Sequence, residues 1–117
     1  MRSEKRRDPR FDIEQKLWCE GQNNMEARNM SRSGMFIMTD EPREVGEEIT
    51  ISFDGDDGTI EVKAEVMRKV DAKPGDKAGL GLRIVGFGQG EDAYDRFVKK
   101  QLQEQGIDDG ESKKSDG

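Results

Sequence analysis

Short runs in which apolar and polar residues alternate dominate the middle of the chain. Three runs follow this pattern, at residues 49–53, 60–66 and 80–84. A period of two places every second side chain on one face, as in a strand with one buried face. Turn-forming residues lie between the runs, among them the Asp/Gly cluster at 54–58. This arrangement predicts a mainly β protein, an antiparallel barrel or sandwich of five or more strands.

Three further strands are predicted before these runs, at residues 16–20, 25–29 and 35–39. Each is short and is followed by residues that favour turns or loops. Gly79 and Gly81 fall on the face opposite to the apolar residues of the last run, which predicts a close backbone approach or a barrel bend.

Some large side chains are assigned to the core from their pattern alone. Trp18 is predicted to be a packing residue rather than a platform for stacking bases. The methionines near the motif described below are interpreted as core filler: Met25, Met30, Met35 and Met38.

The period changes after Gly90, and four apolar residues then fall on one helical face. They are Tyr94, Phe97, Val98 and Leu102. With Asp92 near its start and Gly106 as its stop, this segment predicts a single amphipathic helix of about four turns. The helix is predicted to cap an open end of the barrel and to cover apolar surface that the strands leave exposed.

The composition predicts one small domain with disordered ends. The chain has 117 residues, of which 31% are hydrophobic and 39% are charged. That much charge is incompatible with packing the whole chain. The predicted organisation is a flexible basic arm at 1–10, a barrel with its helix at 11–105, and a disordered tail at 106–117.

The composition also argues against most enzymatic sites. There is no histidine, which removes the commonest general base and metal ligand. Cys19 is the single cysteine, so it has neither a histidine partner nor a disulfide partner. The Asp/Gly turn at 54–58 lacks the loop of an EF-hand calcium site. We therefore expect no enzyme, no catalytic residues, no metal and no cofactor.

The charge is unevenly distributed along the chain. The net charge is −6, yet residues 1–10 carry five basic and two acidic side chains, a net +3, so the remainder carries −9. An acidic body disfavours general nucleic-acid binding, whereas a basic arm suits a small anionic ligand. No signal peptide and no membrane-length apolar run is present in the sequence, which predicts a cytoplasmic protein without membrane insertion.

Two clusters carry the functional signal. The first is the arginine-rich segment 6–10, and the second is the small polar turn 29–34. Arginine recognises guanine edges and phosphates with two hydrogen bonds at once. A Ser/Gly turn offers backbone N–H groups and room for a ligand to approach them. Together the clusters predict a site for a guanine nucleotide.

These clusters resemble the motifs of the PilZ domain family. Residues 6–10 match its RxxxR motif, and residues 29–34 match its [D/N]xSxxG motif. Residues 66–68 and 81–84 look like the family's later strand signatures, although Ile84 stands where an aromatic residue is more usual. The resemblance spans about residues 4–105. It implies a six- or seven-stranded antiparallel PilZ-type β-barrel with one C-terminal α-helix.

The resemblance also implies a ligand, the bacterial second messenger cyclic di-GMP. The implied ligand-binding residues are Arg6, Arg7, Arg10, Asn29, Ser31 and Gly34. The chemistry of these residues suits that ligand, because it presents two guanines and two phosphates. The expected output is ordering of the arm over the bound nucleotide, which a downstream partner protein of unknown identity then senses.

Three classes of function remain open from the sequence. The first is a cyclic di-GMP receptor that acts as an adaptor in motility, biofilm or exopolysaccharide control. The second is a PilZ-type protein-interaction module that does not use the nucleotide. The third is a basic-armed barrel that binds RNA or DNA. The intact motifs favour the first over the second. The acidic body and an aromatic content of 6% disfavour the third.

Overall fold

The computed structural model describes residues 9–19, 22–41, 43–56, 58–71 and 77–107. Six strands and one helix follow one another along the chain. They are β1 Phe11–Cys19, β2 Gln22–Met30, β3 Gly34–Thr39, β4 Glu48–Gly55, β5 Gly58–Val70, β6 Ala78–Gln89 and α1 Glu91–Glu104.

The strands form a closed antiparallel barrel in the order β1-β2-β3-β6-β5-β4. The expected mainly β fold with one C-terminal helix is thereby confirmed, with six strands. The seams differ in length. β4 and β5 pair in unbroken register from Glu48 to Gly55. By contrast, the described residues of β1 and β4 pair only through Trp18↔Ser52 and Cys19↔Ile51. Among the described residues, the seam between β1 and β4 is therefore the shortest of the barrel.

The barrel interior contains the apolar residues that the alternating pattern predicts to be buried. Ile51, Phe53, Ile60, Val62 and Leu80 are all 0% exposed. Complete burial of such side chains supplies the main favourable term in folding such a domain, at about 1.5–3 kcal/mol each. The groups that approach Gly79 and Gly81 are side chains rather than a second backbone, because Gly79 lies against the Phe36 ring and Gly81 lies against the Arg68 side chain.

Two side chains assigned to the core lie on the outer face instead. Trp18 is 38% exposed, because the alternation of β1 turns its neighbours Leu17 and Cys19 inward. Met38 is half-buried on the outer face of β3, whereas the other three methionines of that group are buried. Both positions have the parity that a two-residue period assigns to the outside.

β1 begins earlier than the sequence pattern indicates, at Phe11 rather than at residue 16. Phe11 is 1% exposed, so the first residue of the strand already packs in the core. A register shift lies between Asp12 and Gln15, where the pairing with β2 slips by one residue. Gln15 is half-buried at a position of inward parity. A polar residue there interrupts the apolar alternation, so the sequence pattern does not indicate a strand before residue 16.

Helix α1 covers the barrel beside β4 and β5. Its four predicted apolar residues are buried. Phe97 makes edge-to-face contacts with Phe53 at 5.3 Å and with Phe11 at 6.5 Å between ring centroids. The Gln105 side chain donates to the Asp12 carbonyl at 2.8 Å, which supplies a partner to a backbone acceptor of β1. The helix therefore packs on strands from both sides of the short seam.

The predicted helix stop at Gly106 is confirmed. Gly106 adopts a left-handed φ of 71°. Its N–H donates to the Gln103 carbonyl, and the N–H of Ile107 donates to the Leu102 carbonyl at 2.8 Å. This pair of bonds is a Schellman motif, in which glycine avoids the strain of positive φ. Ile107 completes it by packing against the core.

Several predicted features lie outside the described residues. These are most of the arm, at 1–8, the turn at 73–76 and the tail from 108 onward. Their predicted flexibility stays a prediction. Within the described part of the chain, no helix is long and apolar enough to cross a membrane.

Candidate functional site

The turn between β2 and β3 is held by the side chain of Ser31. Its hydroxyl accepts from the N–H groups of Ser33 at 3.3 Å and Gly34 at 3.2 Å, and it donates to the Gly34 carbonyl at 3.3 Å. The backbone N–H of Ser31 donates to the same carbonyl at 2.8 Å. Ser31 is 1% exposed. The predicted site serine is therefore placed inside the turn, where it fixes the turn's shape.

Gly34 lies where β3 meets β6, paired with Arg83. A Cβ atom at this position would come within 2.5 Å of the Leu82 carbonyl oxygen. Real Cβ atoms do not approach backbone oxygens so closely, so the two strands require glycine here. Its missing side chain also leaves the surface open beside Arg10, whose Nη2 lies 3.8 Å from that Cβ position.

Arg10 meets Asn29 immediately before β1 begins. The Arg10 guanidinium donates to Asn29 Oδ1 at 2.8 Å, across nineteen residues of sequence. The two predicted motifs are thereby brought together on one surface. Within the described residues, no partner accepts a hydrogen bond from the Asn29 amide group, which leaves an outward-facing donor beside the arginine.

A surface cavity of about 530 Å³ opens next to this pair. We call it the arginine cavity, because three guanidinium groups line it. The lining residues that matter most are Arg10, Asn29, Gly34, Phe36, Arg68 and Arg83. Its volume lies within the range typical of small-molecule sites.

Two of the three arginines of the cavity differ from several arginines elsewhere in the described chain in how their charge is compensated. Outside it, Arg28, Arg32 and Arg43 each lie within 3.9 Å of a carboxylate oxygen. In the cavity only Arg83 is paired in this way, with Glu65 at 2.6 Å. Among the described residues, Arg10 and Arg68 have no carboxylate partner. In a chain of net charge −6, two uncompensated guanidinium groups facing one cavity favour an anionic ligand.

Helix α1 holds the turn from the opposite side. The Tyr94 hydroxyl donates to the Ser31 carbonyl at 2.7 Å in a buried position. The Arg32 guanidinium donates to Asp95 at 3.1 Å on the surface. The turn is therefore positioned by the helix as well as by its own hydrogen bonds.

The structure brings together Arg10, Asn29 and Gly34 of the predicted site. Ser31 lies beneath them, and Arg6 and Arg7 lie outside the described residues. The residues missed from the sequence are Phe36, Arg68 and Arg83. Arg83 could have been found, because it alternates with the buried Leu82. The alternating pattern could not place Arg68 in the cavity, because a register shift between Val66 and Arg68 changes the parity of β5, although residues 66–68 resemble a strand signature of the family.

No cluster of three metal-ligating side chains occurs within the described residues. A shifted pKa occurs at Lys69, which follows Arg68 in β5 and does not itself line the arginine cavity. The hydrogen bond with Glu44, and then the charge of the same residue, raise the pKa of Lys69 above its ordinary value. Nothing in the chemistry of the cavity depends on this pair.

Comparison with known proteins places the chain in a family. It matches the PilZ domain family over residues 2–100. Its fold is similar to that of the Bacillus subtilis inhibitor of motility (MotI/DgrA), with a TM-score of 0.67 and 17% identity. The similarity covers 86% of this chain and 50% of the other, so the chain spans about half of that protein's length. No curated protein matches the sequence at a significant level. Because the family match takes in both motifs, the barrel and most of the helix, the chain belongs to the PilZ domain family.

Proposed function

We propose that the protein binds cyclic di-GMP in the arginine cavity, in the cytoplasm, and performs no chemistry on it. The observation that carries the proposal is the Arg10–Asn29 contact at 2.8 Å beside a cavity whose Arg10 and Arg68 have no carboxylate partner in the described chain. Arginine donates two hydrogen bonds to the O6/N7 edge of guanine or to a phosphate. The Asn29 amide adds a donor of its own.

The basic arm supplies the remaining contacts in this proposal. Arg6 and Arg7 precede Arg10 and close over the nucleotide when it binds. Ordering each arm residue costs about 1–2 kcal/mol of backbone entropy. Charge-assisted hydrogen bonds contribute roughly 1.5–3 kcal/mol each, which offsets that loss. The ordered arm then forms a new surface for a partner protein. The similar fold of a protein named as an inhibitor of motility suggests motility as the first output to examine.

Calorimetric titration of the full chain with cyclic di-GMP tests the proposal. We expect saturable binding that falls at least about tenfold in Arg10→Ala and in Asn29→Ala, because each loses charge-assisted or paired hydrogen bonds. Lys63→Ala is the matched control, since it removes one exposed positive charge from β5 outside the cavity. In the same samples, saturating ligand should slow tryptic cleavage after the arm arginines.

The outcomes separate the remaining classes of function. Absence of binding by the folded chain would refute the receptor proposal and favour a protein-interaction module. Unchanged affinity in Arg10→Ala would move the site away from the arginine cavity. Tight, salt-sensitive binding of random RNA without cyclic di-GMP binding would favour the nucleic-acid class.

A further inference from the structure

Two side chains of the arginine cavity lie directly on glycine positions of β6. A Cβ atom on Gly79 would overlap the Phe36 ring, and one on Gly81 would come within 2.9 Å of Arg68 Cγ. Gly79 and Gly81 are two residues apart and therefore share the outer face of the strand. The missing side chains let Phe36 and Arg68 lie close to the barrel surface instead of standing away from it.

Phe36 and Arg68 also contact each other. The Arg68 Cζ atom lies 5.3 Å from the centroid of the Phe36 ring, a distance typical of a cation–π contact. We call these two residues the Phe36–Arg68 platform. Phe36 pairs with Asn29 across β2 and with Gly81 across β6. The platform therefore begins directly beside the residue that Arg10 contacts.

The charge of Arg68 has no compensation from a carboxylate among the described residues. Its neighbour in the cavity, Arg83, is by contrast engaged by Glu65 at 2.6 Å. A guanidinium that is held against a ring and left without an anion keeps both its charge and its planar face for a ligand. Purine bases stack on such groups, and stacking on an arginine plane or an aromatic ring is a recurrent way of holding a base.

The cavity thus presents two different ways to hold a base. Arg10 and Asn29 offer hydrogen bonds to a base edge, whereas the platform offers a stacking surface. We propose that the Phe36–Arg68 platform binds the second guanine of cyclic di-GMP by stacking, while the Arg10–Asn29 pair engages the first. The assignment rests on the proposed function, because it gives a place to the ligand's second base.

The test is a titration of the full chain and of Arg68 variants with cyclic di-GMP, with thermal unfolding recorded for each. Arg68→Ala should weaken binding about tenfold or more, since it removes stacking and charge together. Arg68→Lys keeps the charge but not the planar group, so it should not restore the affinity. Phe36→Leu should weaken binding as well, because it removes the ring that supports the guanidinium. Lys63→Ala, the charge control on the same strand, should bind within about twofold of the unmodified chain.

The thermal unfolding midpoints provide the readout that separates stacking from a purely structural role of Arg68. If Arg68 stacks on the base, Arg68→Lys should bind weakly although its unfolding midpoint matches that of the unmodified chain. Full affinity in Arg68→Ala, or its recovery in Arg68→Lys, would overturn the stacking role while the proposed function stands. No binding by the unmodified chain would overturn both.

Discussion

At the scale of single residues, Gly34 shows how a motif position can be set by space rather than by backbone torsion. The described glycines with positive φ are Gly46, Gly58, Gly90 and Gly106, and Gly34 is not among them. What Gly34 requires is room for the Leu82 carbonyl, which would lie 2.5 Å from a Cβ atom. A backbone oxygen inside a paired strand cannot move aside as a flexible side chain can.

Gly34→Ala should therefore destabilise the barrel, whereas Gly86→Ala should not. Overpacking against backbone costs about 1–3 kcal/mol in the free energy of unfolding. At Gly86 a Cβ atom would meet nothing within 4 Å, so alanine there should change stability by less than about 0.5 kcal/mol. Urea denaturation of the two variants beside the unmodified chain measures the difference. Equal free energies of unfolding for the two variants would show that β3 and β6 can move apart at Gly34 without a loss of stability.

The sequence allowed part of the site to be predicted, and the reason is local. Short motifs contain Arg10, Asn29 and Gly34, and the chemistry of these motifs can be inferred from the sequence alone. Arg68 depends on a register shift in β5, and its meaning depends on glycines of a neighbouring strand. A pattern of period two does not show which residues of distant strands are in contact. The Phe36–Arg68 platform could therefore be found only from the structure.

At the scale of elements, helix α1 and the turn at 31–34 act as one unit. The links between them include the buried Tyr94 hydroxyl bond and the surface contact between Arg32 and Asp95. These two links should contribute differently to the free energy of unfolding. Leaving a buried acceptor without its donor costs more free energy than breaking an exposed ion pair. The helix itself was predictable, since its apolar face repeats regularly and Gly106 ends it. Its contact with the turn was not, because nothing in the sequence joins residues 31 and 94.

Tyr94→Phe should lower the free energy of unfolding by about 1–2 kcal/mol, because it leaves the buried Ser31 carbonyl without this donor. Asp95→Asn is the matched comparison on the adjacent residue. It weakens a link in which the Asp95 side chain is 51% exposed, so its effect should stay below about 1 kcal/mol. Chemical unfolding followed by circular dichroism measures both. An Asp95→Asn variant less stable than Tyr94→Phe would mean that the surface contact, not the buried hydroxyl, fastens the turn to the helix.

At the scale of the whole molecule, the barrel depends on its helix for closure. The described residues of β1 and β4 share two register pairs, and helix α1 packs beside them with Phe97 on Phe11 and Phe53. Four helix side chains are buried, and each contributes about 1.5–3 kcal/mol, or about 6–12 kcal/mol together. The helix is thus part of the core rather than an attachment to it.

A chain ending at Gly90 should therefore lose cooperative folding, whereas a chain ending at Ile107 should retain it. The shorter chain lacks every contact of α1 and exposes the Phe53 ring, so it should show broad, non-cooperative urea unfolding and poorly dispersed amide NMR signals. The longer chain keeps all described contacts, including the packing of Ile107 on the core and the bonds that end the helix. Its unfolding midpoint should match that of the full chain. Cooperative unfolding of the chain ending at Gly90, with the midpoint of the full chain, would show that the six strands close the barrel without the helix.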